Sequence, residues 1–183
     1  FGMHWRALML EAQRGKYDLV VIGTKRRGIA GRMLFGSTGN KLLRVCPCPL
    51  WVVKARASAD APRLLVAHDL SSVGEAALRI GAALAALEQG ELHVLHVLEH
   101  PESRQFLSSV SADARAARMR AARAAIEAQC DALGLERPPI VRVVDGSADE
   151  AILEHVRAEG IDLLLMGTVA RSGLAALLTG NTA

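Results

Sequence analysis

Apolar residues fall into two rhythms along this chain. Unbroken or nearly unbroken runs at residues 19–23, 50–54, 64–68, 91–98, 140–144 and 162–166 predict short strands of a sheet covered on both faces. Between them, residues 5–14, 37–44, 72–87, 111–133 and 148–159 predict helices. The punctuation agrees with these limits. Pro47 and Pro49 stop the second helix, Gly90 and Gly160 close later ones, and Ser72 is placed to cap the third. Ser147 and Glu150 have the spacing of a capping box for the last. Residues 55–62 (ARASADAP) look like a linker. Strands that alternate with helices at this spacing predict a doubly wound α/β fold built on a parallel sheet.

The pattern also repeats. DLVVIGT at residues 18–24 returns as DLLLMGT at residues 162–168, an offset of 144. At the same offset Arg27 matches Arg171, Leu34 matches Leu178, Gly36 matches Gly180 and Thr38 matches Thr182. Residues 1–54 therefore read as the C-terminal part of one domain. Residues 63–183 read as a second that lacks its last helix and strand, so the chain looks like an internal piece of a two-domain protein.

Composition narrows the function classes. Apolar residues make up 51% of the chain and charged residues 22%, enough for a buried core. Aromatics at 3% argue against a base-stacking platform. No apolar run reaches the roughly 18 residues that span a bilayer, and no secretion signal opens the chain, so we expect a cytoplasmic protein with no membrane partner. Residues 1–58 carry eleven Lys/Arg against Glu11 and Asp18, while the remainder is net acidic. Oppositely charged segments favour pairing of the two domains over a grip on nucleic acid, for which there is no helix-turn-helix or zinc signature. On this ground residues 37–54 are expected to pack against, or complete, the sheet of residues 63–166.

Candidate chemistry concentrates where strands end. In doubly wound sheets ligands bind beyond the carboxyl ends of the strands. One such place is Asp69, after the strand at 64–68. The other is the loop from Gly23 to Gly36 and its counterpart from Gly167 to Gly180. Gly36, Ser37 and Thr38 open a helix, whose free N–H groups and dipole suit an anion, with Lys25, Arg26, Arg27 and Arg32 nearby. A tight turn with a helix cap explains the same residues equally well. The segment from Gly31 to Thr38 is no P-loop, since Ser37 stands where the lysine belongs.

Bland readings fit the other polar residues. His93 and His96 point to opposite faces of a strand and cannot share a metal. Cys46 and Cys48, flanked by Pro47 and Pro49 without a second pair, fit a turn better than a soft-metal site. Arg115, Arg118 and Arg123 read as a solvated helix face, and Cys130 as buried. No Gly-x-Ser-x-Gly elbow supports a catalytic role for Ser71 or Ser72.

Together, DLVVIG, the long turn ending in Gly-Ser/Asn-Thr, and CPCPLWVVK at residues 46–54 resemble the universal stress protein family, and the doubled pattern is most similar to its tandem, E-type members. The resemblance implies a Rossmann-like fold, a non-catalytic stress-response protein, and in some members an ATP site marked Gly-x2-Gly-x9-Gly-Ser/Thr. Carried over, Asp69 would face the adenine, Val97 would line it, Gly167 and Gly180 would approach ribose and phosphates, and Met166 would be a further nucleotide-binding residue. In the first copy Gly23, Gly36, Ser37 and Thr38 match, but Arg26 replaces the second glycine. In the second copy Ala170 replaces that glycine and Asn181 the Ser/Thr. The expectation is an adenine-nucleotide protein with ATP as ligand and no metal. A scaffold that works through domain pairing, partner recruitment or a homodimer is the alternative.

Overall fold

A computed structural model of the chain describes residues 4–23, 37–53, 61–99 and 111–168. Residues 1–57 and residues 58–167 fall in different compact units. The first holds α1 (His4–Gly15), β1 (Val20–Gly23), α2 (Ser37–Val45) and β2 (Leu50–Val53). The second holds β3 (Arg63–Ala67), α3 (Ser72–Leu87), β4 (Glu91–Leu98), α4 (Ala112–Ala132), β5 (Ile140–Asp145), α5 (Ala148–Ala158) and β6 (Leu163–Met166). Each predicted element forms within one residue of its expected ends.

In the second unit all four strands run parallel, in the order β5-β4-β3-β6. From β3 the chain steps outward to β4 and β5, then returns to place β6 on the other side of β3. The direction of winding reverses between β3 and β6, and in doubly wound sheets ligands bind at the carboxyl ends of the strands where such a reversal falls. The strand residues alternate between two cores, as their period of two requires. Leu64, Val66, Leu92, Val94 and Val141 pack with Leu78 of α3 and with Ile126 and Cys130 of α4. On the opposite face Leu65 and Leu95 pack with Ile152 of α5 and with Ile161.

Helix α5 is held to its face by more than apolar contact. Nε2 of its buried His155 lies 3.2 Å from Nδ1 of His93, whose own Nε2 lies 2.8 Å from Oε1 of Glu91. The carboxylate can only accept, so the direction of donation is fixed. His93 donates from Nε2 to Glu91, and a neutral His93 ring then accepts at Nδ1 from His155.

In the first unit β1 and β2 pair in parallel, Val20 opposite Leu50 and Gly23 opposite Val53. This corrects the expectation that residues 50–54 extend the sheet of residues 63–166. The strand at 50–53 takes β1 as its partner, and the four-stranded sheet is made from β3 to β6.

The 144-residue offset also relates two backbone hydrogen bonds just upstream of DLVVIGT. The Tyr17 amide bonds the Ala12 carbonyl at 3.3 Å, and the Ile161 amide bonds the Val156 carbonyl at 3.0 Å, pairs that correspond under that offset. Between them Lys16 (φ 49°) and Gly160 (φ 63°) take the left-handed conformation that ends a helix. The two helix exits share one geometry although Lys and Gly share no chemistry.

Three further expectations are corrected. The cap of α3 is Ser71, not Ser72: its Oγ accepts from the Gly74 amide at 3.1 Å. The predicted capping box does not form at α5, because the Ser147 hydroxyl donates to the Asp149 carboxylate instead. A carboxylate from outside the helix serves there, Glu99 Oε1 accepting the Ala148 amide at 3.3 Å. Arg115 is half-buried and its Nη1 lies 3.3 Å from Asp145 Oδ2, so it is not part of a solvated stripe. Arg123 does pair on the surface, with Glu127 at 2.7 Å.

Candidate functional site

At the carboxyl rim of the four-stranded sheet the chain leaves β3 through His68, Asp69 and Leu70 before α3 begins. His68 is fixed on both sides of its backbone. Its amide donates to the Leu95 carbonyl at 2.9 Å, and its carbonyl lies 2.7 Å from His96 Nδ1. Asp69 then turns into solvent. Its Oδ1 accepts from the Ser71 amide at 3.0 Å and from the Ser71 hydroxyl at 2.5 Å. Burial raises the Asp69 pKa, but the two Ser71 hydrogen bonds outweigh it, and the carboxyl ends below its ordinary range. An ionised, outward-facing carboxylate therefore stands at the end of β3, where the winding reverses toward β6. It can accept from an exocyclic amine or a hydroxyl.

Glycine permits this closeness. A Cβ on Gly74 would sit 2.5 Å from Asp69 Oδ1, so the first turn of α3 can lie against the carboxylate only without a side chain there. Leu70 completes the turn at φ 61°. A leucine in that region is strained by about 1–3 kcal/mol, and it persists because the surroundings hold it. One of those holds is direct: the Leu70 amide donates to Nδ1 of His68 at 2.9 Å.

Beneath Asp69 the rim is apolar. Met166 aligns with Ala67 across β6 and β3, and Val97 aligns with Val144 across β4 and β5. All four are half-buried against the core on the α5 side. Gly167 follows Met166. A Cβ there would meet Val73 Cγ1 at 2.8 Å, so packing against α3 is sufficient reason for a glycine at this position. Gly23, which matches it at the 144-residue offset in the sequence, has nothing among the described residues within 4 Å of its Cβ position.

The structure thus brings Asp69, Val97, Met166 and Gly167 to one rim. In the other unit Gly23 ends β1, Ser37 opens α2 and Thr38 is half-buried. Arg26, Gly36, Ala170, Gly180 and Asn181 lie outside the described residues. His93 and His96 do face opposite sides of the sheet, and no group of three or more His, Cys, Asp or Glu among the described residues could hold a metal ion. Cys46 and Cys48 are both half-buried thiols. Burial and the neighbouring Cys46 push the Cys48 thiol up, with Asp18 adding to the effect, so it is not an activated thiolate. Among the described residues no helix is long and apolar enough to cross a membrane.

Sequence reasoning missed a buried polar cluster directly under Asp69. His68 and His96 are only 3% and 7% exposed. Gln129 of α4 approaches His68, and His68 Nε2, His96 Nε2 and Gln129 Oε1 have no hydrogen-bond partner among the described residues. The signal was thin: His68 stands beside Asp69, but nothing in one dimension sets it against a histidine 28 residues on and a glutamine 61 residues on.

Comparison with known proteins agrees with this architecture. The profile of the universal stress protein family matches residues 1–54 and 61–183. Universal stress protein E of Escherichia coli K12 is 28% identical over 98% of the chain, which spans 60% of that relative's length. A universal stress protein of Pseudomonas aeruginosa UCBPP-PA14 superposes on all of the chain with a TM-score of 0.72 at 22% identity, the match covering 63% of that protein. A universal stress protein crystallised in complex with cAMP covers 68% of the chain and 88% of its own, with a TM-score of 0.50 at 23% identity.

Proposed function

The chain belongs to the universal stress protein family, and from that membership we propose that it is a non-catalytic stress-response protein, built from two related domains, with an adenine-nucleotide site at the carboxyl ends of β3 and β6. The observation that carries this reading is the ionised Asp69 carboxylate, held outward by Ser71 at the point where the winding reverses. An adenine presents an amino donor and a flat apolar face. Asp69 supplies the acceptor, and Val97 with Met166 supplies an apolar rim. The relative crystallised with cAMP holds a ligand of that class. Gly167 and Gly180 are the positions at which ribose and phosphates would pass closest to the backbone. ATP is the ligand proposed, without a metal-dependent reaction.

Isothermal titration with ATP and with cAMP tests the site. Binding is expected, and Asp69→Ala should weaken it at least tenfold, about 1.4 kcal/mol, by removing a charge-assisted hydrogen bond. No heat at millimolar nucleotide would remove the reading.

A second reading rests on Gly167. Val73 accounts for that glycine with no ligand present, and Arg26, Ala170 and Asn181 each depart from the family's nucleotide pattern. On this reading the protein is a scaffold that pairs domains or copies and recruits partners. Titration separates the two, since a scaffold leaves Asp69→Ala without a nucleotide phenotype.

A further inference from the structure

We propose that His68 is a positioning residue that holds the Asp69 turn in its binding shape only while its imidazole is neutral, so that acid releases the site. This rests on the nucleotide reading for its ligand, but not for its geometry.

The hydrogen bonds fix the His68 tautomer. The Leu70 amide is a donor, so His68 Nδ1 must be a bare acceptor and the ring proton sits on Nε2. The His68 ring is thereby neutral and presents its Nε2–H to the interior. The His68 carbonyl is an acceptor, so His96 Nδ1 carries a proton. Gln129 Oε1 is an unsatisfied acceptor on the facing helix, matched in kind to the His68 Nε2–H.

Protonation of His68 would place an N–H at Nδ1, facing the Leu70 N–H. Two donors then oppose each other and the bond is lost. It helps to hold Leu70 at φ 61°, so its loss frees Leu70 to return to negative φ. Asp69, one residue before, and its Ser71 partner move with it.

The surroundings set the direction. Burial lowers the His68 pKa and the facing His96 lowers it further, while Gln129 of α4, Asp69 and Glu75 of α3 oppose. The neutral form therefore persists to a pH below that of a free histidine. The Asp69 carboxyl, for its part, is held below the ordinary carboxylate range by its Ser71 hydrogen bonds.

The test uses the 183-residue chain and two readouts between pH 8 and 4.5. NMR follows the His68 ring nitrogens and the Leu70 amide, and titration calorimetry follows ATP. His68→Asn puts a non-titrating oxygen where Nδ1 stands and keeps the acceptor for Leu70. In the parent the Leu70 amide should shift with the same midpoint as the His68 ring. ATP affinity should fall tenfold per pH unit below that midpoint relative to His68→Asn, because only the neutral fraction binds. The variant shares any titration of ATP itself and should hold the Leu70 amide unmoved. A His68 ring protonated on Nδ1 at pH 8, one that never titrates, or a Leu70 amide indifferent to it would overturn the proposal. So would a His68→Asn variant that follows the parent's pH course. Absence of ATP binding at every pH would remove the nucleotide reading, and the Leu70 amide would still decide the role of His68.

Discussion

Gly167 lacks a side chain because Val73 fills the space where one would go, 2.8 Å from its Cβ position. Gly167→Ala should therefore destabilise the protein by about 1–3 kcal/mol through overpacking. Val73→Ala in the same chain should restore part of that loss, and a double-mutant cycle in urea measures the coupling. If the glycine were there only for a ligand, Gly167→Ala would leave stability unchanged. The same discipline applies to Asp69, whose value lies in a hydrogen-bonded turn and not in the residue alone. A carboxylate after a strand was legible in the sequence. The buried polar cluster beside it was not, because His96 and Gln129 come from β4 and α4.

Among the elements, α3 and α5 show how local rules are overridden. Sequence spacing favours Ser72 as cap and a Ser147–Glu150 box. The chain instead uses Ser71, which serves Gly74 and Asp69 together, and lends Glu99 to α5 from the end of β4. Ser71→Ala should cost about 1 kcal/mol or somewhat more, as lost caps do, while Ser72→Ala should stay within about 0.5 kcal/mol. Chemical denaturation of the two variants side by side checks this, and equal losses would return the cap to Ser72. Element type and extent were readable because periodicity and punctuation act within a few residues. Cap identity was not, because competing acceptors reach a helix end from other parts of the chain.

In the molecule as a whole, buried histidines make stability depend on pH. Burial lowers the pKa of both His68 and His155, with His93 and Arg142 adding to the effect at His155. The unfolded chain therefore takes up protons at these sites at a higher pH than the folded one. Stability should be full above about pH 6.5, the ordinary histidine value, and fall as the pH drops toward the lowered folded values. Urea midpoints between pH 7.5 and 5 read this directly. His155→Gln keeps a donor for His93 Nδ1 without a titrating ring, and should flatten the slope. A midpoint that rises on acidification would contradict the assignment.

The sequence by itself determined the element order, the parallel doubly wound class and the 144-residue register, because each follows from short-range pattern and from identities along one strand of text. It also placed Asp69 and the glycines at strand ends. Only the tertiary structure decided which strand β2 pairs with, why Gly167 is a glycine, and that His68, His96 and Gln129 form one buried group beneath Asp69. Those outcomes depend on residues far apart in the chain competing for the same space and the same hydrogen bonds, and that competition exists only once the sheet and its helices have closed.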